Sequence, residues 1–316
     1  MKRFTAAAIM FTILISGCGT KTISRAPEIA YGNPDYKHLK DLPAYRYDPD
    51  ADRPKPGKNL PKASALSVDE YEALGDAFLS RGNFYMAHTQ YEKALEKNPE
   101  NPNLIYKQGM VQLKAENPED AIALFKQVLE LQPNLASAME GLGRAHFTAK
   151  NLKTAAMYFN QAVMYDPLLW QSYHYLGMIH DLNRDYPAAI KAYNTALTLR
   201  PDQGMILNNL GMSLSESGQI REAVEVFQQA LVNGYSRATV YNNLGWALCG
   251  LERYEEAFTA FKLAGGIAVA YNNTGVGLLK HGHRDRAAAY FRKAVEESPR
   301  FYVTAHENLQ KALKQR

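Results

Sequence analysis

Seven glycines are spaced almost evenly along the chain. Gly75, Gly109, Gly143, Gly177, Gly211 and Gly245 follow one another at steps of 34 residues, and Gly275 comes 30 residues later. Twelve residues after each glycine stands an alanine: Ala87, Ala121, Ala155, Ala189, Ala223, Ala257 and Ala287. Four further on is an aromatic residue (Tyr91, Phe125, Phe159, Tyr193, Phe227, Phe261 and Phe291), and three beyond that a small apolar one (Ala94, Val128, Ala162, Ala196, Ala230, Ala264 and Ala294). Pro99, Pro133, Pro167, Pro201 and Pro299 close five of the seven units. A fixed interval of this length means units too small to bury their own faces, which share a continuous core only by stacking.

Each unit reads as two antiparallel helices, A and B. The glycine on A and the alanine on B let the backbones approach, and the aromatic fills the space left beside them. Asn83, Asn117, Asn151 and Asp185 stand at the A–B turn, where they are expected to N-cap helix B. Pro118 and Pro187 follow in the first turn of B, where a missing N–H has no cost. This set of residue types resembles the tetratricopeptide repeat. The resemblance implies an all-α fold: a right-handed α-solenoid of seven helix-turn-helix repeats over residues 68–301, with a C-terminal capping helix over 302–316.

Two repeats depart from the pattern. Repeat 5 ends in Asn233-Gly234 instead of proline, which predicts a left-handed C-cap at the glycine. Repeat 6 is four residues short after Ala264 and is followed by Gly265-Gly266. Four residues are about one helical turn, so its helix B is expected to be shorter and the superhelix to bend or twist abnormally before repeat 7.

Ahead of the repeats lies a different kind of sequence. Lys2 and Arg3 precede an apolar run from Phe4 to Ile15 that ends in Leu14-Ile15-Ser16-Gly17-Cys18. The run is short of the ~20 residues that span a bilayer but suits a signal peptide over 1–17. The ending resembles the bacterial lipobox, which implies a covalent lipid on Cys18 and no other cofactor. In the enterobacterial lipoproteins it resembles, an aspartate after the cysteine favours inner-membrane retention, so in an organism with two membranes Gly19 implies the outer membrane, with the folded body in the periplasm. Residues 18–67 are expected to be the lipidated cysteine and a flexible tether, since Pro27, Pro34, Pro43, Pro49, Pro54, Pro56 and Pro61 disfavour helix and central strand.

The formal net charge is +4, and loss of Lys2 and Arg3 with the leader leaves +2, too little to argue for nucleic acid. The two cysteines, Cys18 and Cys249, stand in unrelated contexts, so neither a disulfide framework nor a cysteine zinc site is expected. Gly141-Leu142-Gly143 and Gly275-Val276-Gly277 lie inside helix A with no preceding strand and are not phosphate loops. His281 and His283 lack a third metal ligand. Neither an enzyme, a metal site nor a small-molecule substrate is expected.

The tetratricopeptide resemblance implies that helix A lines the concave face. Carried onto this chain, the partner-binding groove comprises Tyr106, Met110, Glu140, Arg144, His174, Met178, Asn208, Asn209, Met212, Asn242, Asn243, Trp246, Asn272 and Asn273, with acidic Asp69, Glu72 and Asp76 in the first repeat. Paired asparagines in three successive repeats form a ladder of amide donors and acceptors suited to the main chain of an extended peptide. The same asparagines also serve packing between repeats, and both readings stand at this point. Lipobox, tether and about seven repeats together resemble the lipoproteins of the tight-adherence (Flp) pilus system and, more loosely, type IV pilus pilotins. That likeness implies assembly of a secretin or pilus machine. The alternative is an envelope adaptor that brings proteases or peptidoglycan enzymes to substrates; a third is a subunit of outer-membrane protein assembly.

Overall fold

The computed structural model describes residues 66–298 and 303–314, and these residues form fifteen α-helices and no strand. Seven antiparallel pairs follow in order: α1 (Val68–Ser80) with α2 (Phe84–Lys97), α3 (Pro102–Lys114) with α4 (Pro118–Leu131), α5 (Ala136–Thr148) with α6 (Leu152–Tyr165), α7 (Trp170–Leu182) with α8 (Tyr186–Leu199), α9 (Gly204–Glu216) with α10 (Ile220–Val232), α11 (Ala238–Gly250) with α12 (Tyr254–Gly265), and α13 (Ile267–Lys280) with α14 (Arg284–Glu297). A last helix, α15 (Val303–Lys314), packs on α13 and α14. Each helix packs on its successor along the chain, as in a solenoid. Cys18 and the rest of the leader and tether up to residue 65 lie outside the described residues, as do Pro299 to Tyr302, Gln315 and Arg316.

The glycine–aromatic pairing explains the period. All seven repeat alanines after the glycine are fully buried, and the seven aromatics are 0–1% exposed. Each ring lies close against the Cα of the glycine in its own repeat: a methyl group on Gly211 would come 2.6–2.8 Å from Phe227, and one on Gly245 2.6–2.8 Å from Phe261. In repeat 3 a second glycine does the same for the preceding unit, since Gly141 faces Phe125. One ring therefore touches two helices A, which ties adjacent repeats together.

The turn from A to B is built identically seven times, by a rule the asparagines do not reveal. In every repeat one residue takes a left-handed conformation: Gly82, Gly218 and Gly282, but also Glu116, Lys150, Arg184 and Glu252. The next N–H then closes a bond back to helix A, as Asn151 N does to His146 O at 2.8 Å and Arg253 N to Leu248 O at 2.9 Å. At the four non-glycine positions this costs about 1 kcal/mol each, and the repeat stack imposes it. The expected N-caps are found at Asn83, which accepts from Met86 N at 3.1 Å, and at Asp185, which accepts from Ala188 N at 3.3 Å. Asn117 and Asn151 make no such bond. Asn117 instead donates to Gln112 Oε1 at 3.0 Å, because its side chain reaches back over the turn to helix A.

Gly234 takes the left-handed conformation at φ 79°, and Tyr235 N donates to Ala230 O at 2.9 Å, so repeat 5 ends in the glycine C-cap its sequence predicts. The deletion in repeat 6 shortens helix B, as expected, but only in part. Helix α12 keeps 12 residues against 14 in most other B helices, and most of the loss falls on the connection, which shrinks to Gly266 alone. Gly266 has φ 85° and ψ 179°, a region open essentially to glycine only, and it lets α13 begin at once. Keeping the helix preserves the buried contacts of Ala257, Ala260 and Phe261, whereas a shorter linker loses only solvated backbone.

Candidate protein-binding groove

The asparagines of α9, α11 and α13 bond first to one another. Asn209 Nδ2 lies 3.2 Å from His174 Nε2 on α7, and Asn208 Nδ2 donates to Asn209 Oδ1 at 3.4 Å. Asn243 Nδ2 donates to Asn208 Oδ1 at 3.1 Å, which carries the chain of amides from α9 to α11. A second run begins at Asn242 Oδ1, which accepts from Asn273 Nδ2 at 3.4 Å. It continues through Asn272 Nδ2 to Asn273 Oδ1 at 3.0 Å and ends at Asn308 of α15, which donates to Asn272 Oδ1 at 3.0 Å. Every bond between repeats joins residues 31–36 apart in sequence. Asn308 is a member that sequence reasoning missed; it stands in a helix without the repeat pattern, so no fixed offset points to it.

Between the two runs the ladder is open. Asn242 Nδ2 and Asn243 Oδ1 make no hydrogen bond to the described protein, and neither is among the buried atoms without a partner, so both reach solvent. One is a donor and the other an acceptor, on adjacent residues of α11. Met212 and Trp246 flank them, half-buried and packed on the main core cluster; the Trp246 ring stands edge-on to Phe261 at 5.0 Å.

Four expected groove residues do not reach its surface. Glu140, His174, Met178 and Asn272 are 8%, 6%, 5% and 5% exposed and point into the stack. Burial holds the His174 imidazole neutral, with its pKa lowered to about 4. Tyr106 is half-buried with its ring 5.6 Å from Phe125, and Arg144 lies 4.0 Å from Met110 Sδ. Two of the three acidic positions of the first repeat are engaged within the fold, and Asp69 is exposed. Lys107 Nζ lies 2.7 Å from both Glu72 and Asp76, and Asp76 also accepts from Tyr91 OH at 2.6 Å. Buried Glu140 accepts from Ser172 Oγ at 2.8 Å.

Asp181 accepts from Tyr193 OH at 2.8 Å and from Ser213 Oγ at 2.6 Å. Burial raises the pKa of both Glu140 and Asp181. A signal for the tyrosine bonds existed: the two repeats that carry tyrosine rather than phenylalanine at the core aromatic position are the two in which helix A supplies an aspartate to it.

Other reactive groups are tied up. Cys249 is 3% exposed against Gly277, and burial pushes its thiol up to about 12. His281 and His283 both face Glu252, at 3.6 and 3.5 Å. Among the described residues no group of three or more metal-binding side chains is arranged around a common point, and no helix is long and apolar enough to cross a membrane.

Family models described as tetratricopeptide repeat match residues 106–172 and 208–267, and a further one matches 171–203. No curated protein matches the chain. Among solved structures, a tetratricopeptide repeat protein from Parabacteroides merdae is 16% identical, with a TM-score of 0.52, over 78% of this chain and 98% of its own. The Pseudomonas aeruginosa pilF structure is 20% identical, with a TM-score of 0.52, over 68% of this chain and 97% of its own. These likenesses show the fold.

Proposed function

We propose that this chain, a tetratricopeptide-repeat protein, is a lipid-anchored scaffold that holds an extended segment of a partner protein at α11 and thereby assists assembly of an envelope machine such as a Flp-type pilus or its secretin. The observation that carries the reading is the break in the amide ladder. Asn242 Nδ2 and Asn243 Oδ1 offer the complement of one peptide group, a donor for its carbonyl and an acceptor for its N–H. All other groove asparagines spend their amides on the repeat stack. Trp246 and Met212 beside the break supply apolar surface that adapts to different side chains. The anchoring part of the reading rests on the lipobox-like ending at Cys18, and the pilus part on the overall order of leader, tether and repeats.

Asn242→Asp tests the site with little disturbance. The aspartate keeps an oxygen for Asn273 but turns the open donor into an acceptor facing a carbonyl. Capture of the partner by the tagged chain is expected to weaken about tenfold, the cost of roughly one hydrogen bond, with an unchanged melting temperature. Unchanged capture removes the amide break from the binding site. The partner itself is to be identified by cross-linking in cells and mass spectrometry. Secretin or pilus components support the assembly role, and a protease or cell-wall hydrolase replaces it with the adaptor role. Cys18→Ser is expected to move the protein from washed membranes to the soluble fraction; retention on membranes defeats the lipid anchor.

A further inference from the structure

We infer that the two ends of the solenoid bind each other between copies, the outer face of α1 in one chain seating on the outer face of α15 in the next. Inside the solenoid every helix A has a neighbouring repeat on both sides. The end helices do not: α1 packs on α2, and α15 packs on α14 and α13. Each therefore presents a face that no described residue covers.

The two faces match in charge and in apolar character. Helix α1 carries Asp69, Glu70, Glu72 and Asp76 and no basic residue; Lys107 of α3 holds Glu72 and Asp76, so Asp69 and Glu70 are the acids left on its outer side. Its exposed side runs through Asp69, Ala73 and Leu74, the last 39% exposed. Helix α15 carries Lys311 and Lys314 against the single acid Glu307. Its exposed side runs through Val303, His306, Gln310 and Lys314, with Val303 50% exposed. The neighbouring α14 adds Arg292, whereas its Arg286 pairs with Glu255 and lies over Tyr254, and its Lys293 lies over the Tyr271 ring.

Two acidic ends repel, as do two basic ends, so only head-to-tail contact brings opposite charges together. Such a contact uses different patches on the two partners. It does not close on itself at two copies, so it extends. It also leaves the α11 groove free in every copy. Because the attraction is between exposed charges, salt screens it: the Debye length falls from ~14 Å at 0.05 M to ~4 Å at 0.5 M ionic strength.

Sedimentation of the full-length chain in detergent, at about 0.05 M and about 0.5 M NaCl over rising concentration, tests this directly. At low salt the protein mass per particle is expected to grow past two chains, and at high salt to return toward one. Lys311→Glu with Lys314→Glu makes both ends acidic, and Asp69→Lys with Ala73→Lys brings the acidic end toward basic. Each pair of changes is expected to weaken self-association at least about tenfold. Mixing the two variants should restore association, because each then meets an opposite charge; melting curves confirm that both are folded. A single chain at every concentration in low salt overturns the proposal. So does growth that stops at two copies, growth indifferent to both reversals, or a mixture that stays dissociated.

Discussion

Gly211→Ala is expected to destabilise the solenoid by about 2 kcal/mol, and to lower Tm by several degrees, although alanine is the better helix former by about 1 kcal/mol. The added methyl would lie 2.6–2.8 Å from three atoms of the Phe227 ring. That ring is 1% exposed, with Ala223 and Ala230 fully buried on the same helix, so it has no empty volume to move into. The clash therefore passes to the backbone of α9 and to the stack beyond it. Phe227→Leu removes the ring and leaves a cavity, a loss of the same order by itself. If close approach is the cause, the double variant loses less than the two singles together by about 1 kcal/mol or more. Strict additivity in urea unfolding removes the glycine–ring contact as the reason for the period.

The second expected result is a loss of stability in acid that traces to His174. Its folded pKa is lowered to about 4 from an ordinary 6.5 because the imidazole, on α7 beside the Asn209 amide of α9, is buried and 6% exposed. Between these two values the unfolded chain binds a proton that the folded chain does not. Stability due to this residue is thus complete above pH 6.5 and is lost as pH falls through the window toward 4. The size is about 2.5 kcal/mol between roughly pH 7.5 and pH 4.5.

The groups around the ring set the comparison. The Tyr175 and Tyr193 rings face His174, and Tyr193 donates to Asp181. Burial raises the pKa of Asp181 and Glu140, so they titrate in the opposite sense, losing stability as pH rises. They are common to wild type and His174→Gln, whose side-chain oxygen can still accept from Asn209. The difference between these two chains therefore isolates the histidine. Equal pH dependence of the two would mean that the ring is solvated and the ladder does not begin at a neutral imidazole.

The period, the helix pairs and the buried faces were legible in the sequence because they are local and repeated. Gly211 and Phe227 stand at the same offset as six other pairs, and their contact lies within one repeat. The glycine cap at Gly234 was legible for the same reason: a residue's own backbone preference decides it. The turn residues were legible only in part. Asn83 and Asn117 look alike in sequence, but Asn83 accepts from Met86 N whereas Asn117 makes no cap bond and donates to Gln112. The left-handed Glu116, Lys150, Arg184 and Glu252 carry no preference for that conformation, and stacking forces it on them.

What only the tertiary structure decided lies between repeats. The asparagines were visible as a column, but which amide atoms are taken depends on residues about one repeat apart being set side by side by the superhelix. Asn242 and Asn243 keep an open donor and acceptor, Asn272 is buried, and His174 turns inward, all at similar places in their own repeats. A sequence fixes which side chains can form hydrogen bonds. The packing of one repeat on the next fixes which of those bonds remain for a partner, because each buried amide must first find a mate within the fold.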